Sequence, residues 1–201
     1  MDNLKHHARF VLWLAAIGLV VAGRAATAAA APSPADAVET ELAAFTGTFW
    51  PQVSSAKERL ESLQSLAIPA LLVLATRMER MKLVDTADLI YPGASTFYGH
   101  GYLVDYDLDN ISAGAGWLLE ELTFQNFGFS SGAFSAPSLL EATDNGKHDV
   151  PLADVVPPST PKSTAAASSA ANAWWLAHSS GWTRFKALGG ALASTDPRRQ
   201  M

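Results

Sequence analysis

The chain contains no cysteine among its 201 residues. This absence excludes disulfide bonds, a thiol nucleophile and a zinc ion held by thiolates, because each of these needs a cysteine sulfur. It also excludes a lipoprotein that is acylated on cysteine. The stability of the folded chain therefore has to come from core packing, with a metal or a partner as further sources.

Positive charge is scarce as well. The sequence has 14 Lys and Arg against 19 Asp and Glu, which gives a formal net charge of −5. Residues 1–31 carry Asp2, Lys5, Arg9 and Arg24, a net of +2, so the remaining residues carry −7. Binding to nucleic acid depends on basic patches that meet the phosphates, and this composition argues against such a partner.

Several sequence motifs that indicate particular reactions are missing. We find no phosphate-binding or dinucleotide-binding glycine motif, no haem-attachment motif and no H-x-x-x-H or H-E-x-x-H pair. The apolar–polar alternation of β-strands is nearly absent too. The predicted fold class is therefore mostly α, with long loops between the helices.

What the N-terminus does have is the order of segments found in a secretory signal peptide. A basic start is followed by an uncharged apolar stretch over residues 10–23 and then by small residues. The stretch is short for a bilayer span, which takes about 20 apolar residues. We predict a signal peptide over residues 1–31, cleaved after Ala28 or Ala31, and a periplasmic or extracellular protein. The alternative is an uncleaved N-terminal anchor, which would be the only contact with a membrane.

Residues 32–201 are predicted to form a single α-helical domain. Apolar residues recur at helical spacing over residues 38–49, 56–81 and from Ile111 onward. Ser54 or Ser55 is the expected cap of the second helix, and Pro69 predicts a junction or kink inside it. Residues 83–90 are a further expected helix, and residues 91–110 an expected loop with a short extended piece at 102–106.

The second half of the domain contains a long polar interruption. Residues 130–169 are rich in Ser, Ala, Pro and Asp, which predicts a flexible excursion. The helix that starts near Ile111 is expected to end at Gly128, since glycine favours a left-handed helix cap. After the excursion we expect one short helix with Trp174, Trp175 and Leu176, and a last helix with Trp182, Phe185, Leu188 and Leu192.

Three stretches resemble HEAT-type α-helical repeat proteins. They are AIPALLVLATRMERM, AGWLLEELTFQNFG, and the tryptophan-rich closing segment from AWWLAH to ASTDPRRQ, which together cover about 60 residues. The resemblance implies an irregular stack of helical hairpins, like a fragment of an α-solenoid, and a binding role, because such folds seldom carry a reaction centre of their own.

Aromatic residues concentrate after the Ile111 helix and near the C-terminus. One interpretation is a buried hydrophobic plug, since aromatic side chains contribute strongly to cores. The other is a partly exposed groove that binds a peptide or a sugar ring. The residues concerned are Phe124, Phe127, Phe129, Trp174, Trp175 and Trp182.

Asp105, Asp107 and Asp109 are spaced two apart, as at the start of a calcium loop. The position where that loop needs a bidentate Glu is occupied by Gly116. The alternative is that Asp109 or Ser112 caps the helix and that the other acids are solvated. The helix cap with solvated acids is favoured over the calcium loop. Apart from the calcium hypothesis, no cofactor is expected.

His100 lies between two glycines, close in sequence to Asp105 and Ser95. A histidine presented on a turn can act as a base or as a metal ligand. Ser95 lacks the G-x-S-x-G elbow of hydrolases, so catalysis by these residues is the less favoured hypothesis.

Three functions remain open. The first is an exported, non-catalytic domain that binds another protein through its helical surface and aromatic residues. The second is a secreted hydrolase or metal-dependent enzyme that uses the loop at residues 91–110. The third is a carbohydrate-binding module that uses the tryptophans.

Overall fold

Helices account for 59% of the residues that the computed structural model describes, which are residues 33–94, 101–131 and 160–195. The predicted mostly α fold class is confirmed, while the solenoid arrangement stays a prediction. No helix in these ranges is long and apolar enough to cross a bilayer. The predicted signal peptide lies outside the described residues.

In chain order the elements are α1 Pro34–Phe45, α2 Trp50–Leu63, a 3₁₀ turn Gln64–Leu66, α3 Ile68–Leu74, β1 Leu89–Ile90, β2 Tyr102–Leu103, α4 Ile111–Thr123, α5 Pro161–His178 and α6 Arg184–Leu192.

The first three helices form in the segments that the sequence predicts to be helical, but their ends differ. Helix α1 begins and ends four residues earlier than expected, and α3 ends at Leu74 and not at residue 81. Helix α2 begins at Trp50 and has Pro51 in its first turn, where a missing N–H leaves no hydrogen bond unmade. The expected cap at Ser54 or Ser55 is therefore wrong. The junction predicted at Pro69 is confirmed: Gln64 has a φ of 51°, a 3₁₀ turn follows, and α3 starts one residue before the proline.

The helix expected over residues 83–90 is wrong. The backbone of this segment bonds to distant parts of the chain instead: the Val84 N–H donates to Thr48 O at 2.8 Å and the Val84 carbonyl accepts from Trp50 N–H at 3.1 Å. The segment ends in β1, which pairs in parallel with β2. Strand β2 covers Tyr102–Leu103 and is the short extended piece that the sequence predicts.

Helix α4 lies in the core, and every residue from 111 to 120 is buried. Its N-cap is Asn110, whose side chain accepts hydrogen bonds from the N–H groups of Ser112 and Ala113. The expectation that Asp109 or Ser112 caps the helix is therefore wrong. The end expected at Gly128 is also wrong, because the helix stops at Thr123 and Phe124 takes up the left-handed conformation with a φ of 54°.

Helix α5 begins inside the stretch that composition predicts to be flexible. Thr160 and Ser163 form a capping box, and the helix runs on for 18 residues, so the flexible excursion is wrong for residues 160–169. Residues 132–159 lie outside the described residues. Helix α5 extends back over residues 161–169 because the side chains on one of its faces are small and buried, which brings it close to α3 and α4. The residues of this face are Thr164, Ala167, Ser168 and Ala171.

Candidate functional site

The last aromatic residue of the segment after α4 is fully part of the core. Phe129 is only 2% exposed. Its ring lies directly on Gly116, since a Cβ atom added to that glycine would stand 2.0 Å from the ring carbon Cγ. Phe129 therefore has the position that the hydrophobic plug requires, and it offers no surface to a ligand.

Glu120 holds the turn that carries these aromatic residues. Its Oε1 atom accepts hydrogen bonds from the backbone N–H groups of Phe127, Gly128 and Phe129, at 2.9 Å for Gly128 and 3.3 Å for Phe129. Its Oε2 atom accepts a hydrogen bond from the Tyr106 hydroxyl at 2.6 Å. Burial raises the pKa of Glu120, and these hydrogen bonds partly offset that rise. One buried carboxylate thus ties the helix to the turn.

The tryptophans of α5 continue the aromatic contacts outward. The Phe127 ring meets Trp174 edge-on with centroids 5.8 Å apart, and Trp174 lies 6.3 Å from Trp175. Trp175 in turn meets Trp182 edge-on at 5.8 Å. All four side chains are half-buried. The structure therefore brings Phe127 and the three tryptophans together, as a layer between the core and solvent.

Phe124 stands apart from that layer in its contacts. It is half-buried at the left-handed end of α4. The Arg184 guanidinium lies 5.8 Å from the centre of its ring, which is a cation–π contact. Arg184 also forms an ion pair with Glu61 of α2. Phe124 thus helps to attach the start of α6 to the rest of the domain.

The three aspartates that suggest a calcium loop bind three different sets of partners. Asp107 receives two hydrogen bonds from the Arg80 guanidinium, at 2.7 and 3.2 Å. Asp109 accepts from the Leu83 N–H at 2.9 Å and from the Tyr91 hydroxyl at 3.0 Å. Asp107 and Asp109 are buried, so the expectation that these acids are solvated is wrong.

Arg80, Tyr91, Gly93, Asp107 and Asp109 form one polar cluster, in which Tyr91 and the two aspartates are buried while Arg80 reaches solvent. A Cβ atom on Gly93 would stand 2.9 Å from Asp107 Oδ1, so the glycine leaves room for the ion pair. Burial raises the pKa of Asp109, and burial together with Asp109 raises the pKa of Tyr91. Within the described ranges no three His, Asp or Glu side chains are grouped so as to hold a metal. The cluster instead connects three loop segments.

Only Asp105, of the three residues predicted to act in catalysis, lies in the described part of the chain. His100 and Ser95 lie outside the described residues. Asp105 accepts hydrogen bonds from the hydroxyls of Ser130 and Ser131, just after the aromatic segment. It therefore helps to hold the same turn that Glu120 holds.

Helix α6 carries apolar side chains that are exposed to solvent. Phe185, Leu188 and Leu192 are 86%, 39% and 69% exposed. They are spaced by three and four residues, which places them on one side of a helix. Ala191 is the only buried residue of α6. The sequence predicts this helix but not its exposure, because the apolar pattern is the same for a buried and an unpartnered face.

No protein-family model, curated protein or solved structure matches this chain. The resemblance to HEAT-type repeats therefore stays a prediction, and a function has to be inferred from the geometry of the described residues.

Proposed function

We propose that this chain is an exported α-helical domain that binds another protein through the apolar face of α6. The observation that supports this function most strongly is the exposure of Phe185, Leu188 and Leu192 on one short helix. Single exposed apolar residues are normal on protein surfaces, whereas a grouped set marks an interaction site. Three residues at positions i, i+3 and i+7 are the usual anchors of a helix that binds in an apolar groove.

Binding of a partner to this face would be favourable because it removes apolar surface from water. Full burial of a Phe or Leu side chain is worth roughly 1.5–3 kcal/mol. A partner groove that covers Phe185 and Leu192 would therefore gain about 3–6 kcal/mol before the costs of association.

Helix α6 is also weakly stabilised within the domain. Gly189 and Gly190 lie in its second half, and an added Cβ atom at either position would contact nothing within 4 Å. Glycine in a helix costs about 0.5–1 kcal/mol relative to alanine. A partner that packs on this face would supply the packing that the helix lacks.

Pull-down experiments with paired variants test this function. The mature protein should capture a specific partner from an extract of its own cell envelope, and a Phe185→Ser/Leu192→Ser variant should lose that partner. The matched control is Leu66→Ser/Val73→Ser, which changes two exposed apolar residues elsewhere, Val73 being as exposed as Leu192. The proposal fails when both variants capture the partner equally, or when the wild type captures none.

Export is tested separately by the mass of the protein recovered from the producing cells. We expect a chain that begins after Ala28 or Ala31. An intact chain that starts at Met1 and stays with the membrane fraction would support the anchor instead. An intact chain in the cytosol would contradict export altogether.

A further inference from the structure

Few contacts join helix α6 to the rest of the domain. Of its nine residues only Ala191, which is 2% exposed, is buried. A helix that buries so little apolar surface detaches at a low cost in free energy, since little of that surface becomes exposed to water. We call residues 182–192 the C-terminal arm.

The residue directly before the C-terminal arm has the properties of a hinge. Gly181 has a φ of 70°, and a Cβ atom added to it would contact nothing within 4 Å. Glycine adopts this conformation and its neighbours without steric cost, so the backbone can rotate here. Hinges are commonly a few residues at the end of an element that absorb such a rotation. The arm can therefore move about Gly181 while α5, which ends at His178, stays in place.

Arg184 joins the C-terminal arm to two other parts of the domain. Its guanidinium forms an ion pair with Glu61 of α2 and lies 5.8 Å from the centre of the Phe124 ring at the end of α4. The Arg184 and Glu61 side chains are 31% and 27% exposed, so water and salt screen the pair in part. These contacts are electrostatic, and one residue of the arm makes both of them.

Trp182, the first residue of the C-terminal arm, is attached in a way that leaves a polar group unsatisfied. Its ring meets Trp175 edge-on and packs against the core. Its indole N–H is removed from solvent, and no acceptor lies within hydrogen-bond distance of it among the described residues. A buried donor without an acceptor costs free energy, which is recovered when water reaches the group. The position of the arm in the structure therefore carries a cost that movement of the arm would remove.

We propose that the C-terminal arm opens about Gly181 and that Arg184 holds it closed. The structure shows the closed position, and the open position is a minor state in which Ala191 reaches solvent. A helix of nine residues is marginally stable in isolation, so α6 frays when the arm is open. Opening presents every side of α6 to the groove of a partner. This last consequence rests on the proposed function, whereas the opening itself does not.

Because the chain contains no cysteine, a single introduced thiol can report the opening. Ala191→Cys places that thiol at the buried position of α6, and its rate of reaction with uncharged N-ethylmaleimide is measured on the full chain. Ala193→Cys is the exposed reference, and Ala167→Cys, at 1% exposure on α5, is the buried reference. We expect Ala191→Cys to react about 10–100-fold more slowly than Ala193→Cys, as for an open state populated at about 1–10%. It should react at least about ten-fold faster than Ala167→Cys, which becomes accessible only when the core opens.

Second substitutions in the Ala191→Cys protein test the role of Arg184. Arg184→Ala should accelerate the reaction about ten-fold and Glu61→Gln about three-fold, because they remove the ion pair and, for Arg184, the cation–π contact as well. Added salt should accelerate the reaction while Arg184 is present and have little effect after Arg184→Ala. The matched control is Arg59→Ala, which removes another ion pair of α2, formed with Glu41 at 2.7 Å, and should leave the rate unchanged. Circular dichroism confirms that each variant is folded.

Three results would overturn the proposal. A thiol at Ala191→Cys that reacts as slowly as the one at Ala167→Cys would show that the arm stays closed. A thiol that reacts as fast as the one at Ala193→Cys would show that the arm is not held at all. Equal acceleration by Arg184→Ala and Arg59→Ala would show that Arg184 has no special role. None of these measurements involves a partner of α6, so this proposal and the proposed protein-binding function can fail separately.

Discussion

The aromatic segment after α4 and helix α6 are both rich in apolar side chains, yet their surroundings differ. Phe129 packs onto Gly116 of α4, and its backbone N–H is bound by Glu120. Phe185 has no such glycine opposite it and is almost fully exposed. Burial of a phenylalanine thus depends on whether another part of the chain provides space and a hydrogen-bond acceptor.

The largest expected effect compares the two phenylalanines directly. Phe129→Ala should lower the free energy of unfolding by about 3–5 kcal/mol, as core Phe truncations do. Phe185→Ala should change it by less than about 0.5 kcal/mol, because the side chain is exposed. The half-buried Phe127 should fall between them. Urea denaturation measures all three variants, and equal losses at 129 and 185 would remove the distinction between the two regions.

The second prediction concerns the space under the Phe129 ring. Gly116→Ala should destabilise the domain by about 3 kcal/mol, since the new methyl group would overlap the ring and force a shift of the core. Gly114→Ala is the matched control on the same helix: its Cβ atom would stand 3.9 Å from Phe45, an ordinary contact. That variant should be neutral or slightly stabilising, because alanine favours the helix. A Gly116→Ala protein as stable as Gly114→Ala would show that Phe129 does not pack there.

The third prediction concerns the carboxylate that holds the turn. Glu120→Ala should cost about 2 kcal/mol, because it leaves the Phe129 N–H and the Tyr106 hydroxyl buried without a partner. Glu120→Gln keeps one acceptor oxygen for the backbone and an amide that can donate to Tyr106, so it should cost less. Thermal melts of both variants test this order. A Gln variant that is as unstable as the Ala variant would indicate that the charge, and not the acceptor, matters.

The smallest expected effect is the pH dependence of stability that Glu120 causes. Burial raises the pKa of Glu120 above its ordinary value of 4.5. A raised pKa in the folded state means that the contribution of this group is present below pH 4.5 and is lost as the pH rises through the folded value. The stability of the wild type relative to Glu120→Gln should therefore increase as the pH is lowered from about 7.

The buried Asp109 has a raised pKa as well, but it is present in both proteins and its effect cancels. Denaturation of the two proteins across this pH range gives the difference between their free energies of unfolding. A difference that is constant with pH, or that decreases as the pH is lowered, would contradict the raised pKa of Glu120.

Local sequence signals predicted much of the helical framework. The junction at Pro69 follows from the missing N–H of proline, and the start of α4 near Ile111 follows from the apolar spacing after a polar residue. These features depend on neighbours within a few residues, so they can be inferred without knowledge of the fold. The mostly α fold class rests on the same signals.

Only the tertiary structure decided where α4 ends, how far α5 extends and which distant side chains bind one another. Helix α4 ends at Thr123 because Glu120 binds the N–H groups of the following turn, and α5 extends back to Pro161 because its small residues pack on other helices. The bond between Arg80 and Asp107 joins residues 27 positions apart. Burial and exposure of apolar side chains, as in Phe129 and Phe185, depend on contacts between residues far apart in the chain, and no local pattern contains that information.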